Sequence, residues 1–211
     1  RLGSICFHPS LLPLHRGPSA VNWPIIMGSN KSGYSWFYPT DGLDEGDVLL
    51  QWECPIDADD TVINLYFKKI YPSAVDSVLQ VCELFRSGNP PHIVQDEDQA
   101  TYERRCTKRH ARVDWNKPVN QVYDLIRGCN PAPGAWTINN GDEVGIFDST
   151  RTDGDGLSGK IMEISDAGVA VQCVGGRILI KRVRPANSEK ISASEWAASS
   201  GLSVGDVLGV E

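Results

Sequence analysis

Short hydrophobic runs, separated by proline, glycine and acidic residues, characterise the first part of this chain. Three of them, Ser4–His8, Gly33–Pro39 and Val48–Cys54, have the length and composition of buried β-strands. The acidic, glycine-containing segment Asp41–Asp47 lies between the second and third runs and predicts a tight turn. Residues Ala20–Met27 predict a short helix that a glycine closes. The pattern therefore predicts a small sheet with one short helix in a connection.

A longer helical pattern follows the third predicted strand. Asp59-Asp60-Thr61 is a suitable N-cap, and Pro72 lies inside the pattern, where we expect it to kink or split the helix. The sequence Gly88-Asn89-Pro90-Pro91 stops the helix, and the polar stretch Gln95–Gln99 leads out of the first module. The apolar residues that recur at helical spacing are expected to form the inward face: Val62, Leu65, Ile70, Val75, Val78, Leu79, Cys82 and Phe85.

The second half of the chain is richer in short β-type runs. A helix is predicted from Pro118 to Gly128, and a last short helix from Ser194 to a glycine at 201. Between them, turn sequences separate five predicted strands, which favour a small barrel of the oligonucleotide-binding (OB) type, although an open sheet also fits. These strands are Ala135–Ile138, Glu143–Phe147, Gly159–Ile164, Val169–Val174 and Ile178–Val183.

The charge distribution indicates two modules. Residues 1–101 contain 6 Lys and Arg against 13 Asp and Glu, whereas residues 102–211 contain 14 of each kind. We therefore predict one domain over residues 1–95, a linker over 96–112 and a second domain over 113–211. Neither half has the strong positive charge of a general nucleic-acid-binding protein.

The overall composition is that of a globular protein, with 41% hydrophobic and 22% charged residues in 211. No apolar run is long enough to span a membrane, so we predict no membrane partner. The six cysteines form no CxxC pair, which favours buried thiols in a reducing cytoplasm over a zinc site or a disulfide framework.

Two titratable residues stand where predicted strands give way to loops. His8 ends the first predicted strand, and Asp44 lies in the turn between the second and third. If neighbouring strands bring them together, a neutral imidazole could transfer a proton near pH 7 while the carboxylate fixes its tautomer or orders a water molecule. Spacing alone also allows an ordinary loop histidine and an ordinary turn aspartate.

Longer strings of the sequence favour the first interpretation. HPSLLPLHRG (His8–Gly17) and DGLDEGDVLLQ (Asp41–Gln51) resemble the HxSLLPxxRG and GLDxGxI/V signatures of the folate-dependent formyltransferase family. ATYERR (Ala100–Arg105), VDWNKP (Val113–Pro118) and IRGCNPAPGAWT (Ile126–Thr137) resemble its linker and the start of its C-terminal domain. The resemblance covers essentially the whole chain. It implies an α/β fold in which part of a Rossmann-like catalytic domain precedes a small OB-like β-barrel.

The resemblance also assigns roles to residues. It implies that His8 is the catalytic histidine and that Asp44 orients it together with the reacting water or amine. The resemblance further implies that the co-substrate is 10-formyltetrahydrofolate, which becomes tetrahydrofolate, and that neither a metal nor a covalent enzyme intermediate is required. The implied folate-site residues are Ser10, Leu11, Leu12 and Pro13, with backbone groups of Asp41, Gly42 and Leu43 at the pterin ring.

Two departures from the family pattern bear on the activity. Many members have asparagine two residues before the histidine, whereas this chain has Cys6, whose thiol is a poor donor. This residue favours the branch that contains the hydrolase domain of 10-formyltetrahydrofolate dehydrogenase, although a buried strand residue explains it equally well. About a hundred residues that precede the SLLP motif in the family are absent, so we expect a fragment that need not be active by itself.

Alternative partners remain open at this point. Methionyl-tRNA formyltransferase is the second branch that the chain resembles, with a sugar-nucleotide amine as a third acceptor. Basic residues in segments 104–112 and 181–184 are candidates for contact with transfer RNA, and Trp115 and Trp136 could stack on bases. A non-catalytic RNA-binding or assembly module on the same scaffold is the alternative from another functional class.

Overall fold

A computed structural model describes residues Gly3–Val210 of the chain. They form two compact units, and each is described by itself. The first, called the N-terminal unit, contains the residues up to Ile25 and Ser29–Cys106; the second, the C-terminal unit, contains Ile26–Gly28 and the residues from Thr107 onward. Both are built on antiparallel sheets. The predicted boundaries at 95 and 113 stay a prediction.

The N-terminal unit is organised around a three-stranded antiparallel sheet. Its strands are β1 (Cys6–His8), β2 (Lys31–Phe37) and β3 (Val48–Pro55), in the order β1-β2-β3. These confirm the three strands predicted from the hydrophobic runs. Helix α1 (Asn22–Ile26) lies in the connection between β1 and β2 and is shorter than predicted. Because β2 is central, its residues contact both β1, which contains His8, and β3, which follows the acidic loop (residues 41–47).

The long helical pattern is split as Pro72 predicts. A π-helical segment, Asn64–Ile70, leads into helix α2 (Tyr71–Arg86), and Pro72 stands in the first turn of α2, where a missing N–H is tolerated. The predicted inward face is correct for Leu65 and Ile70, both fully buried. Val62 packs beside them, and Phe85 is half-buried.

Beyond Ile70 the predicted face is wrong. Small residues and one valine are buried there, namely Ala74, Ser77 and Val81. The five-residue step from Leu65 to Ile70 belongs to a π-helical turn and rotates the following residues relative to a regular 3.6-residue repeat. The predicted core residues Val75, Val78, Leu79 and Cys82 are exposed instead.

The C-terminal unit contains helix α3 (Val119–Gly128) and eight strands in two four-stranded antiparallel sheets. In chain order the strands are β4 (Ala135–Asn139), β5 (Asp142–Ile146), β6 (Ser149–Thr152), β7 (Ile161–Ser165), β8 (Gly168–Cys173), β9 (Gly176–Ile180), β10 (Arg182–Pro185) and β11 (Ile191–Ser192). The sheet orders are β11-β10-β5-β4 and β6-β9-β8-β7. Mixed α/β architecture with antiparallel sheets is thus what the structure has.

Two details differ from the predicted strands of this unit. Ile178–Val183 is not one strand, because the chain leaves one sheet at Ile180 and enters the other at Arg182. The polar strand β6 and the two-residue strand β11 were not predicted, because neither contains a hydrophobic run. The last helix, α4 (Ala193–Ser200), begins with a capping box between Ser192 and Glu195 and ends at Gly201, whose φ is 65°.

None of the helices within residues 3–210 has the length and apolar character needed to span a membrane. Burial of the cysteines is uneven: Cys54, Cys106, Cys129 and Cys173 are buried, Cys6 is half-buried and Cys82 is exposed. Burial raises the pKa of Cys173 to about 12 and that of Cys54 to about 11, so neither thiol is ionised near neutral pH.

Candidate active site

His8 is the last residue of β1 and is buried, with 7% of its surface exposed. It pairs with Ser35 of the central strand. Its Nε2 atom lies 2.8 Å from the carbonyl oxygen of His15. Because a carbonyl oxygen only accepts, Nε2 carries the proton, which leaves Nδ1 as the ring atom that can take up a second one.

The Nδ1 atom of His8 faces Asp44. The distance from Nδ1 to the Asp44 Oδ2 atom is 3.6 Å, within the range of an ion pair but longer than a hydrogen bond. Asp44 lies in the loop between β2 and β3, and its Oδ2 atom also accepts the backbone N–H of Gly17 at 2.8 Å. The structure therefore brings together two side chains that are 36 residues apart in the sequence.

The loop after His8 is held by polar side chains of the central and third strands. Ser35 Oγ donates to the Ser10 carbonyl at 2.7 Å and accepts the N–H of Leu12 at 3.0 Å. Gln51 Nε2 donates to the Leu12 carbonyl at 2.7 Å and to Ser35 Oγ at 2.8 Å. Ser10 Oγ donates to the carbonyl of Leu14 at 2.6 Å. Ser35 and Gln51 were not predicted as site residues, because polar residues on a predicted strand are ordinarily assigned to its exposed face.

The residues implied for the folate site have different environments. The side chains of Ser10 and Leu12 are buried, and Leu12 packs against Phe37 and Val48. Leu11 and Pro13 are half-buried. The turn is open to solvent, with Asp41 and Leu43 exposed and Gly42 half-buried. Only the half-buried and exposed residues of this set present side-chain surface to a ligand.

His15 is a second histidine near His8. Its Nδ1 atom lies 3.2 Å from Glu103 Oε1, close enough for an ion pair but without hydrogen-bond geometry. Burial lowers the pKa of His15 and outweighs the opposing effect of the Glu103 carboxylate. His15 is therefore neutral at pH 7 while its carbonyl holds the His8 ring.

Arg16 is fully buried and was not predicted as a site residue. Its guanidinium donates to both carboxylate oxygens of Glu97, at 2.6 and 2.9 Å, and to the Gln95 side-chain oxygen at 2.8 and 3.2 Å. It also donates to the hydroxyl of Tyr102. The bonds to Glu97 are the main reason that the pKa of Arg16 is raised. A buried arginine requires such partners, and an arginine directly before a glycine in the HRG string is the one signal that could have marked it.

The segment that contains these partners packs on the candidate site, although it was predicted to lead out of the first module. Thr101 accepts the N–H of Arg16 at 3.0 Å and donates its own N–H to the Pro13 carbonyl at 3.1 Å. The N–H of Glu103 donates to the Arg16 carbonyl at 3.1 Å. The stretch through residues 101–103 therefore runs beside the loop as a short parallel strand would.

The basic group predicted over 104–112 is divided between the two units, with Arg104 and Arg105 in the N-terminal one. Within the C-terminal unit, Lys108 and Arg112 lie over the ring of Trp136, at 5.7 and 5.5 Å from its centroid. In segment 181–184, Arg184 lies 5.4 Å from the Phe147 ring centroid. Trp115 is buried and donates to Thr137 at 3.0 Å, so it is a core residue and not a surface for stacking bases.

Comparison with known protein families identifies two matches. A model described as formyl transferase matches residues 1–72, and one described as formyl transferase, C-terminal domain, matches residues 105–201. The first covers His8 and Asp44, and the second covers most of the C-terminal unit.

Individual relatives agree with the family models. The cytosolic 10-formyltetrahydrofolate dehydrogenase of Xenopus laevis is 35% identical over 92% of this chain, but the chain spans only 23% of that protein. The methionyl-tRNA formyltransferase of Syntrophus aciditrophicus (strain SB) is 31% identical, with 99% of this chain and 67% of that protein covered. The crystal structure of HypX from Aquifex aeolicus in complex with tetrahydrofolic acid has the same fold over 92% of this chain and 35% of its own, with a TM-score of 0.75 at 23% identity. The chain belongs to the formyl transferase family.

Proposed function

We propose that this chain carries the reaction centre of an enzyme that uses 10-formyltetrahydrofolate, with water as the formyl acceptor. The observation that carries the proposal is the contact of His8 Nδ1 with Asp44 Oδ2 at 3.6 Å, inside the motifs that resemble the family signatures. The preference for water rests on the similarity to the frog dehydrogenase and on Cys6, which packs beside Leu12, Phe37 and Val48 and offers only a weak donor.

The proposed roles follow from the two sides of the imidazole. The His15 carbonyl holds Nε2–H, so the ring orientation and tautomer are set before reaction. When water attacks a formyl carbon, Nδ1 of His8 accepts the water proton and Asp44 stabilises the imidazolium that forms. Collapse of the tetrahedral intermediate breaks the bond from carbon to N10, and the proton passes from His8 to that nitrogen. The products are formate and tetrahydrofolate.

The folate would be held beside this pair. The exposed turn at Asp41, Gly42 and Leu43 directly precedes Asp44 in the sequence, and its backbone groups suit the donors and acceptors of a pterin ring. The half-buried side chains of Leu11 and Pro13 supply apolar surface on the other loop. The HypX structure, whose complex contains tetrahydrofolic acid, supports a folate as the co-substrate.

The test is turnover of 10-formyltetrahydrofolate by the intact natural protein with His8→Ala or Asp44→Asn. Each change is expected to lower kcat by at least about a hundredfold, because general acid–base catalysis contributes that much. Complete retention of turnover by His8→Ala would exclude the enzymatic role proposed here and favour a non-catalytic module on the same scaffold.

A second candidate acceptor is the amino group of methionyl-tRNA. The placement of Lys108 and Arg112 over the half-buried Trp136 ring favours it, since cations beside an aromatic ring suit both phosphates and bases. Affinity for initiator transfer RNA should then fall steeply with added salt. Binding that salt does not weaken, or no acceleration of formyl transfer by the RNA, leaves water as the acceptor.

We propose that the N-terminal unit is part of a Rossmann-like catalytic domain and that the C-terminal unit is an OB-like barrel. The two family matches over 1–72 and 105–201 support this division. The name of the frog relative supports a cytoplasmic location.

A further inference from the structure

One side chain, that of Gln95, donates to two backbone carbonyls of the acidic loop. Its Nε2 atom lies 2.8 Å from the Asp44 oxygen and 2.7 Å from the Gly46 oxygen. Gln95 is 7% exposed, so both hydrogens of its amide are used by protein acceptors and not by water. It reaches this loop from 51 residues further along the chain.

Asp44 needs such support because its backbone lies in the left-handed region, with φ at 57°. Aspartate tolerates this conformation better than most residues with a Cβ, but it still costs free energy that surrounding contacts have to offset. From this backbone position the carboxylate meets both Gly17 N–H and the His8 ring. If the backbone relaxed to negative φ, the carboxylate would move away from both.

The orientation of the Gln95 amide is set by Arg16. Its oxygen accepts from Arg16 Nε at 3.2 Å and from Nη2 at 2.8 Å, so the nitrogen has to face the acidic loop. Arg16 is in turn held by both oxygens of Glu97. Gly17 follows Arg16 directly. These two neighbours therefore hold Asp44 at both ends: the Gly17 N–H binds the carboxylate, and Arg16 orients the Gln95 amide that binds the carbonyl.

We propose that Gln95 is a positioning residue of this site, whose amide holds the Asp44 backbone so that the carboxylate stays beside His8. Gln95 acts through Asp44, to whose carbonyl it donates. Its effect on turnover rests on the proposed function, whereas its effect on the position of Asp44 does not.

The test compares Gln95→Glu with wild type in the intact natural protein. Glutamate keeps the size of the side chain and an acceptor for Arg16, but it replaces the donating NH₂ by an oxygen that the Asp44 and Gly46 carbonyls repel. We expect kcat for 10-formyltetrahydrofolate hydrolysis to fall about 10- to 100-fold, with KM changed by less than about threefold. The matched control is Gln80→Glu, the same chemical change at an exposed position of α2, which should keep the wild-type kcat.

A second measurement needs no activity. In ¹⁵N-glycine-labelled protein, the Gly17 N–H reports its bond to the Asp44 carboxylate, and its hydrogen exchange should accelerate about tenfold or more in Gln95→Glu. If that variant does not fold, Gln95→Asn, which is one methylene shorter and uncharged, serves in its place. If the hydrogen-exchange rate of the Gly17 amide is unchanged in a folded variant, the proposal is overturned, with or without a loss of kcat, because Asp44 has then not moved.

The two proposals fail in different ways. If His8→Ala keeps full turnover while the Gly17 amide responds to Gln95→Glu, the proposed function is wrong and the positioning contact stands. If His8→Ala abolishes turnover while Gln95→Glu changes neither kcat nor the hydrogen exchange of the Gly17 amide, the proposed function stands and the positioning role of Gln95 is wrong.

Discussion

The backbone N–H of Gly17 donates to the carboxylate of Asp44 at 2.8 Å, and no larger residue fits where that N–H originates. A Cβ at position 17 would lie 2.6 Å from the carbonyl oxygen of Glu103. The glycine of the HRG string is therefore required by the approach of the 101–103 segment, and through it the loop after β1 and the acidic loop are joined.

Gly17→Ala is expected to destabilise the N-terminal unit more than Gly88→Ala. Both glycines have positive φ, 108° and 81°, which with a Cβ costs about 1 kcal/mol or more. Position 88 has nothing within 4 Å, whereas position 17 adds the backbone clash. We expect a loss of about 1 kcal/mol at 88 and about 3 kcal/mol or more at 17, measured from hydrogen exchange of β2 amides. Equal losses would contradict the role given to the 101–103 segment.

Arg16→Met should cost about 2–4 kcal/mol of stability, because it leaves the buried Gln95 oxygen without its donor and removes the partner of Glu97. Arg86→Met is the control, since Arg86 forms only an exposed pair with Glu83 and should change stability by less than about 0.5 kcal/mol. Urea denaturation of the three proteins gives the comparison. A loss of stability for Arg16→Met as small as that of the control would show that the bonds of Arg16 to Gln95 and Glu97 do not stabilise the fold.

The stability of the N-terminal unit should depend on His15 in mildly acidic solution. Burial lowers the pKa of His15 below its ordinary value of 6.5, so below that pH the unfolded chain binds a proton that the folded chain does not. Stability is therefore lost as the pH falls from about 7 to 5. In His15→Gln this loss should be smaller, as measured by urea midpoints at both pH values. Identical losses in wild type and variant would rule out the linkage.

The corrected face of α2 can be tested with two alanine substitutions. Val81 is 4% exposed, so Val81→Ala should cost about 1.5–3 kcal/mol through lost burial and the cavity left behind. Leu79 is 79% exposed, and Leu79→Ala should change stability by less than about 0.5 kcal/mol. Thermal unfolding distinguishes them. If Leu79→Ala lost more stability than Val81→Ala, the inward face predicted from the apolar spacing would be correct.

Sequence patterns succeeded where neighbouring residues decide the outcome. The hydrophobic runs predicted β1, β2 and β3 within a few residues, and Pro72 marks the change from π-helix to α2. They failed where geometry departs from a regular repeat, as in the π-helical step after Leu65, or where the chain changes sheet at Lys181. Neither event alters the local hydrophobic composition, so periodicity cannot report it.

The sequence by itself determined the strands of the N-terminal unit, the ends of α3 and α4, and the pair His8 and Asp44 as candidates, because each depends on side chains a few positions apart or on a recognisable string. Only the tertiary structure decided that Arg16 and Gln95 join that pair, and that Ser35 and Gln51 hold the loop that follows His8. These polar residues lie tens of positions apart, and burial at any one of them is favourable only when all of its hydrogen-bond partners arrive together. That condition is a property of the folded chain path, which no local pattern contains.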